Sequence, residues 1–167
     1  MGVMVLGIAT LAAAGCAATR IEGGVFSSDK GYRVEMPSGD WTVANDRQAD
    51  LELRHRDGTA GIVVNASCGA QRSRGPLSAL ARHLLSGLRD RSVVVREDVA
   101  VNGKAARHSV VDGRLADGGA PVRVEVYVMR DERCLYDFLY AASPDTFAAR
   151  RADFERVVRT FATEGRQ

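Results

Sequence analysis

The chain has 167 residues, of which 46% are hydrophobic and 6% aromatic, and its 23 basic and 21 acidic residues leave a formal net charge of +2. This length corresponds to one domain with a sizeable core. The balanced charge excludes a disordered chain and a strongly basic nucleic-acid-binding protein, so we expect no nucleic-acid partner. Three cysteines cannot all pair within one molecule, so at least one has another role.

The amino-terminal segment, residues 1–18, contains no charged residue. Its apolar run over residues 3–14 is shorter than the roughly 20 residues that a membrane-spanning helix needs. Small residues follow the run and precede Cys16, which is typical of a cleaved export signal. Residues 1–15 are therefore interpreted as a signal peptide, with an unlipidated secretory signal or an uncleaved anchor as alternatives.

Residues 13–16, Ala-Ala-Gly-Cys, resemble the lipobox of bacterial lipoproteins, whose cysteine is acylated and becomes the first residue of the mature chain. The resemblance implies that Cys16 carries a lipid anchor that attaches the protein to a membrane. It also implies export to the periplasmic face of the outer membrane, with the inner membrane less favoured, because Ala17 replaces the Asp of the retention signal. Several buried acyl chains make such attachment stable.

The rest of the chain divides into three parts. Residues 16–30 contain the glycine pair Gly23-Gly24 and the serine pair Ser27-Ser28, and we interpret them as the lipidated cysteine and a flexible tether. Residues 31–163 form the globular domain, and residues 164–167 form a carboxy-terminal tail.

The first half of the domain has the alternating pattern of strands. Residues 32–36 alternate and turn at residues 37–40 towards Trp41. A later hairpin is predicted around Asp57-Gly58, a pair that suits a type I′ turn. Its two strands would place Leu53 opposite Ile62 on one apolar face.

A central helix is predicted after Gly75-Pro76, and a second one after Ser143-Pro144-Asp145, where a hydroxyl cap and a proline favour a helix start. Between them, Asn102-Gly103 predicts a tight hairpin, followed by strands over residues 122–128 and 134–142. The apolar stripe of the first helix consists of Leu77, Leu80, Ala81, Leu84, Leu85 and Leu88. The order predicts an α+β domain with an antiparallel β-sheet and helices packed on it.

Several of these features together resemble the PsbP-like superfamily over residues 31–163. They are residues 31–37 (Gly-Tyr-Arg-Val-Glu-Met-Pro) shortly before Trp41, the central helix, residues 101–105 (Val-Asn-Gly-Lys-Ala) and the final amphipathic helix. The superfamily includes photosystem II extrinsic proteins, a nuclear-import regulator and bacterial lipoproteins. The resemblance implies an α/β/α sandwich that binds or supports a larger assembly, and it transfers no catalytic residue to this chain.

Cys68 and Cys134 have two interpretations. In an exported protein they favour a disulfide, which would contribute roughly 4 kcal/mol by closing a loop of about 65 residues. A catalytic thiol would instead need a base that lowers its pKa.

The sequence offers few signals of catalysis. His55, His83 and His108 have no histidine or cysteine three to five residues away, so no compact metal site and no cofactor are predicted. We expect His55 to be a partly buried structural residue and His83 to be solvated. The chain is therefore not expected to be an enzyme.

Asp137 is the most unusual polar residue, because Leu135 and Leu139 flank it at two-residue spacing and Val126 is its expected neighbour. A carboxylate on an apolar face is costly unless it is paired. We expect a salt bridge with an arginine such as Arg107, or an edge position, rather than a catalytic acid.

An aromatic surface is the candidate partner or ligand face, with core packing under a helix as the alternative for most of its members. It consists of Trp41, Tyr127, Tyr136, Phe138 and Tyr140. Trp41 is expected to close the end of the core.

The leading functional hypothesis is a lipid-anchored periplasmic binding or scaffold domain that supports a membrane-associated protein complex, with a protein partner not identified by the sequence. A carrier of a small apolar ligand or lipid in a pocket between sheet and helix is the first alternative. An enzyme built from dispersed residues, such as Asp137 and a histidine, is the least favoured.

Overall fold

A computed structural model describes residues 19–44, 49–69, 74–115 and 119–164. The predicted signal peptide and Cys16 lie outside these residues. The helices are α1 (Leu77–Leu84) and α2 (Pro144–Arg159). The strands are β1 (Arg20–Glu22), β2 (Val25–Ser28), β3 (Tyr32–Glu35), β4 (Trp41–Val43), β5 (Leu51–His55), β6 (Ala60–Cys68), β7 (Leu88–Val101), β8 (Lys104–Leu115), β9 (Pro121–Arg130), β10 (Cys134–Ala142) and β11 (Ala162–Thr163).

The strands form two antiparallel sheets. The large sheet has the order β4-β5-β6-β10-β9-β8-β7, and the small sheet has the order β1-β2-β3-β11. Helix α2 and the small sheet cover one face of the large sheet, and α1 packs on the opposite face against β8 and β9. The predicted α+β fold, with helices packed on an antiparallel sheet, is confirmed.

The two predicted tight turns differ in geometry. Leu53 lies opposite Ile62, as the pattern predicted. Only Gly58 of the Asp57-Gly58 pair has a positive φ (74°), so this turn is not type I′, which requires a positive φ at both positions. At the other hairpin, Asn102 (50°) and Gly103 (77°) both have positive φ, as a type I′ turn requires.

The prediction for the central helix is correct at its start and wrong at its end. Helix α1 stops at Leu84, and Leu88 begins strand β7. Leu85 and Leu88 are still buried in the apolar cluster beneath α1. Their helical spacing therefore predicted burial correctly, although the chain turns at Ser86-Gly87 and continues as a strand.

The flexible tether predicted through Lys30 is wrong from Arg20 onward. Residues 20–28 form the β1–β2 hairpin, and β2 also pairs with β3. Gly23 and Gly24 have φ values of 57° and 76°, so the pair forms the turn of this hairpin. Phe26 is only 2% exposed and belongs to the main core.

Asp50 links the small sheet to the large one. Its carboxylate accepts hydrogen bonds from Lys30 Nζ (2.6 Å), Tyr32 Oη (2.9 Å) and the Ala66 backbone N–H (2.9 Å). Lys30 Nζ also donates to the Ala66 carbonyl oxygen (2.5 Å). Two residues of the small sheet's β2–β3 region are thereby fixed to β6 through one carboxylate.

A disulfide joins Cys68 to Cys134. The two residues are directly opposite each other where β6 pairs with β10. The sequence-based pairing is thus present in the structure, at the end of the central strand pair.

We predict that Asp50→Ala lowers the free energy of unfolding by about 3 kcal/mol, because it removes one acceptor of the Lys30 ammonium group and the acceptor of both the Tyr32 hydroxyl and the Ala66 N–H. Urea denaturation followed by circular dichroism measures the change. Asp98→Ala is the matched control, since that carboxylate is 82% exposed and pairs with the side chain of Arg107, and we expect a loss within about 0.5 kcal/mol. Equal losses in the two variants would contradict the linking role of Asp50.

Candidate functional site

Three members of the predicted aromatic face are core residues. Tyr136, Phe138 and Tyr140 are 0% exposed, because they lie on the face of β10 that α2 covers. Tyr136 Oη donates to Asp131 Oδ2 (3.0 Å), and Tyr140 Oη donates to the Phe147 carbonyl (2.9 Å). As a surface for a partner or ligand, this part of the prediction is wrong, and the alternative of core packing applies.

The other two members lie on either side of β10, Trp41 on the edge strand β4 and Tyr127 on the inner strand β9. Trp41 packs edge-to-face on His55 (5.2 Å between ring centroids), and its indole N–H donates to Asp153 of α2 (3.0 Å). It closes the end of the core, as expected. Tyr127 is half-buried and stacks on His108 with 4.3 Å between ring centroids.

Beside Tyr127 lies the most elaborate polar cluster of the described residues, centred on Glu125. This side chain is 0% exposed. Its carboxylate accepts hydrogen bonds from His108 Nε2 (2.8 Å) and from Arg151 Nε (2.8 Å) and Nη2 (2.9 Å). His108 Nδ1 lies 2.8 Å from Glu97 Oε1. The cluster connects β7, β8 and β9 to α2.

The charges in this cluster reinforce each other. Burial by itself lowers the pKa of His108, but its hydrogen bonds with Glu125 and Glu97 outweigh burial and raise it. Burial raises the pKa of Glu125, and the bonds from His108 and Arg151 outweigh that effect and lower it. The two carboxylates therefore favour the charged form of the imidazole.

This geometry suits a structural ion network better than acid–base catalysis. Both nitrogens of His108 already bond to carboxylates, so neither can take a proton from a substrate without losing a bond. Both Glu125 oxygens are also occupied. The network fixes Arg151, and with it α2, to β9.

The sequence pattern does not identify Glu125 and His108 as a buried, hydrogen-bonded pair. Glu125 alternates with valines, which is also the pattern of a strand with one solvent-exposed polar face. The signal that could indicate burial of Glu125 is the final amphipathic helix, because a helix packed on the polar side of this strand buries that side as well.

The expectations for the other candidate residues have mixed outcomes. His83 is exposed, as predicted, and His55 is partly buried, with Nδ1 2.8 Å from Asp57 Oδ1. Asp137 lies opposite Val128, not Val126, and Arg107 pairs with Asp98 instead.

Asp137 lies on the α1 face of the sheet. Its Oδ1 atom is buried without a hydrogen-bond partner among the described residues. Burial raises the pKa of this carboxyl to about 6. Strand alternation places His55 and His108 on the α2 face, so the sheet separates these two histidines from Asp137.

The space between the large sheet and α2 is filled by aromatic side chains, as the full burial of Phe138, Tyr140 and Phe154 shows. A surface groove of about 270 Å³ lies at the edge of this layer, between β7 and α2, with Tyr127 in its lining. Within residues 19–44, 49–69, 74–115 and 119–164, no three His, Cys, Asp or Glu side chains are grouped as metal ligands. No helix in these ranges has the length and apolar character needed to cross a membrane.

Known structures share this architecture. The chain superimposes on the solution structure of the cyanobacterial PsbP protein (CyanoP) of Synechocystis sp. PCC 6803 with a TM-score of 0.61 and 14% identity, covering 93% of this chain and 98% of that one. The fold is PsbP-like. LpqN of Mycobacterium tuberculosis, described as involved in cell envelope biogenesis, gives a TM-score of 0.62 at 10% identity, covering 80% of this chain and 83% of LpqN.

A protein of unknown function from Pseudomonas aeruginosa, a putative regulator by its description, also matches this PsbP-like chain. Its TM-score is 0.52 at 12% identity, with 80% of this chain and 92% of that chain covered. No family model and no curated protein matches the sequence. At these identities the comparisons establish the fold alone.

The ion network predicts a pH dependence of stability. Because the folded state raises the pKa of His108, its contribution is complete below the unfolded value of about 6.5 and is lost as pH rises through the folded value. We expect the wild-type free energy of unfolding to fall over that window, by at most about 1.4 kcal/mol per pH unit. Urea denaturation at a series of pH values measures it.

His108→Gln should abolish most of this slope, because glutamine does not titrate. His83→Gln removes an exposed histidine and serves as the control that keeps the slope. A wild-type profile that is flat above pH 6.5, or one that His108→Gln leaves unchanged, would contradict the charged network.

Proposed function

We propose that this protein is a non-enzymatic, lipid-anchored domain that binds or supports a protein complex at a membrane facing an oxidising compartment. The disulfide between Cys68 and Cys134 carries the proposal, because such bonds persist in the periplasm and are rare in the cytosol. The PsbP-like fold and the lipobox resemblance at Cys16 add support. The outer membrane is the proposed location, with the periplasmic face as the side of attachment.

The early start of the fold shortens the proposed tether. Strand β1 begins at Arg20, four residues after Cys16. Four extended residues span at most about 14 Å. An acyl group on Cys16 would therefore hold the β1–β2 hairpin next to the membrane surface, so a partner in the same membrane would meet the domain at a high effective concentration.

Filled packing beneath α2 gives no support to the carrier alternative. The aromatic side chains there leave the described groove at the edge of the layer, not a pocket within it. The ion network around Glu125 serves to position α2, so it adds no support to an enzyme.

The anchor is tested by membrane fractionation of the full-length protein expressed in a diderm bacterium. We expect the wild-type chain in the outer-membrane fraction, and Cys16→Ser released from it, because the variant has no acceptor for acyl chains. Cys68→Ser is the matched control and should stay with the membrane. Retention of Cys16→Ser in the outer-membrane fraction would contradict the lipid anchor.

Oxidation is tested by mass spectrometry of the same exported protein without reduction. We expect a peptide pair linked through Cys68 and Cys134. Free thiols at both positions would contradict export to an oxidising compartment.

Binding is tested by crosslinking the lipidated protein in its native membrane. We expect one protein to be recovered reproducibly with the wild-type chain and to be depleted with Cys16→Ser. Recovery of no protein, together with a lipid that co-purifies with the domain, would overturn the scaffold proposal in favour of a carrier.

A further inference from the structure

Strand β7 forms one edge of the large sheet, and its two halves differ. Among the strands that the structure describes it pairs with β8 alone, and register shifts interrupt the pairing between Arg89 and Ser92 and again between Val93 and Val95. From Val95 to Val101 the pairing is regular. Bulges are one way in which proteins block an edge from pairing with another chain. The first half of β7 is blocked in this way, and the second half presents a regular edge.

The groove of about 270 Å³ lies beside this regular half. Val99 and Val101 of β7 form one side, Val158 of α2 forms the other, and Tyr127 also lines it. Asn102 also lines the groove, and its side-chain amide donates to the carbonyl of Arg159, the last residue of α2, and to that of Phe161 just after the helix. A large apolar side chain of a strand added beside β7 would be directed towards this space, because alternate residues of a strand face the α2 side.

The charged side chains of residues 96–98 determine which residues are favoured in a strand that pairs with this segment. Arg96 is exposed and has no ion pair among the described residues. Glu97 is 54% exposed on the α2 side, and Asp98 is 82% exposed on the other side. Opposite charges directly across a strand pair are favourable and like charges are unfavourable. The segment therefore selects an acidic residue opposite Arg96 and basic residues opposite Glu97 and Asp98.

We propose that residues 95–101 of β7 bind an extended peptide segment of the partner protein by antiparallel strand addition. The segment has an apolar residue opposite Val99, two basic residues next in sequence, and an acidic residue after them, opposite Arg96. Main-chain hydrogen bonds supply affinity and the groove supplies specificity, as in other cases of β-strand addition. This inference rests on the proposed function, because it names the surface through which the domain holds its partner.

The probe is a synthetic peptide, Thr-Val-Leu-Lys-Lys-Glu-Val-Thr, acetylated and amidated at its ends and carrying a fluorescent label. Its leucine is placed opposite Val99 and its glutamate opposite Arg96. Anisotropy titration against the full-length lipoprotein in detergent measures binding, and hydrogen exchange with mass spectrometry locates it. We expect saturable binding with protection of amides within residues 95–101, and no binding of a scrambled peptide.

A charge exchange tests the register. Arg96→Glu should weaken binding about fivefold, because a cross-strand attraction becomes a repulsion. A peptide with lysine in place of the glutamate should restore binding to that variant. Arg89→Glu makes the same charge change in the bulged half and should leave binding unchanged. Equal weakening by Arg89→Glu, failure of the exchanged peptide to restore binding, or protection elsewhere than residues 95–101 would overturn the inference.

Two further outcomes also overturn it. One is the absence of saturable binding by the wild-type protein. The other is self-association of the chain in solution that Arg96→Glu abolishes, since a second copy would then occupy the edge.

Crosslinking in the native membrane separates this inference from the proposed function. If the edge is the binding surface, Arg96→Glu depletes the crosslinked partner and Arg89→Glu does not. A partner recovered equally well with Arg96→Glu would overturn the edge inference and leave the scaffold proposal intact. Absence of any partner would overturn the scaffold proposal, while the peptide titration still reports on the edge.

Discussion

The pairing of β6 with β10 is the constraint on which the rest of the structure depends. It runs without interruption from Cys134 opposite Cys68 to Ala142 opposite Ala60, and the disulfide fixes its register at one end. A slip by one residue would exchange the two faces of a strand. The register therefore decides that Tyr136 and Tyr140 enter the core beneath α2 and that Asp137 lies on the opposite face.

The same register determines which side chains of β9, the other neighbour of β10, lie beneath α2. Its side chains that share a face with Tyr140 must also lie beneath α2, and one of them is Glu125. Removing one partner of a fully buried carboxylate strongly destabilises the folded state. Replacing a whole buried network by apolar residues can be neutral. Arg151 and His108 satisfy both of its oxygens. The network thus contributes mainly to the specific position of α2, which in turn forms one wall of the groove beside β7.

Local signals were sufficient for part of the fold. The Asn102-Gly103 turn, the start of α2 at Pro144 and the hairpin register of Leu53 all follow from neighbouring residues. Prediction from the sequence fails where pairing between distant segments determines the local structure. Gly23-Gly24 is equally suited to a linker and to a turn, and only the pairing of β2 with β3 makes it a turn. Glu125 has the pattern of an exposed residue, and only the helix packed above it shows otherwise.

The first described residues of the chain and the regular half of β7 lie at opposite edges of the large sheet. Ile21 of β1 and Val43 of β4 line the same hollow, so the chain enters the domain beside β4. Strand β7 is at the far edge, six intervals away, or about 29 Å at the spacing of neighbouring strands. A lipid on Cys16 would therefore fix one edge near the membrane and leave the regular half of β7 unobstructed by it. A short tether would then favour a partner whose extended segment lies about the width of the large sheet away from the anchor. Effective concentration is greatest when the reach of the tethered domain equals the distance to the partner's segment.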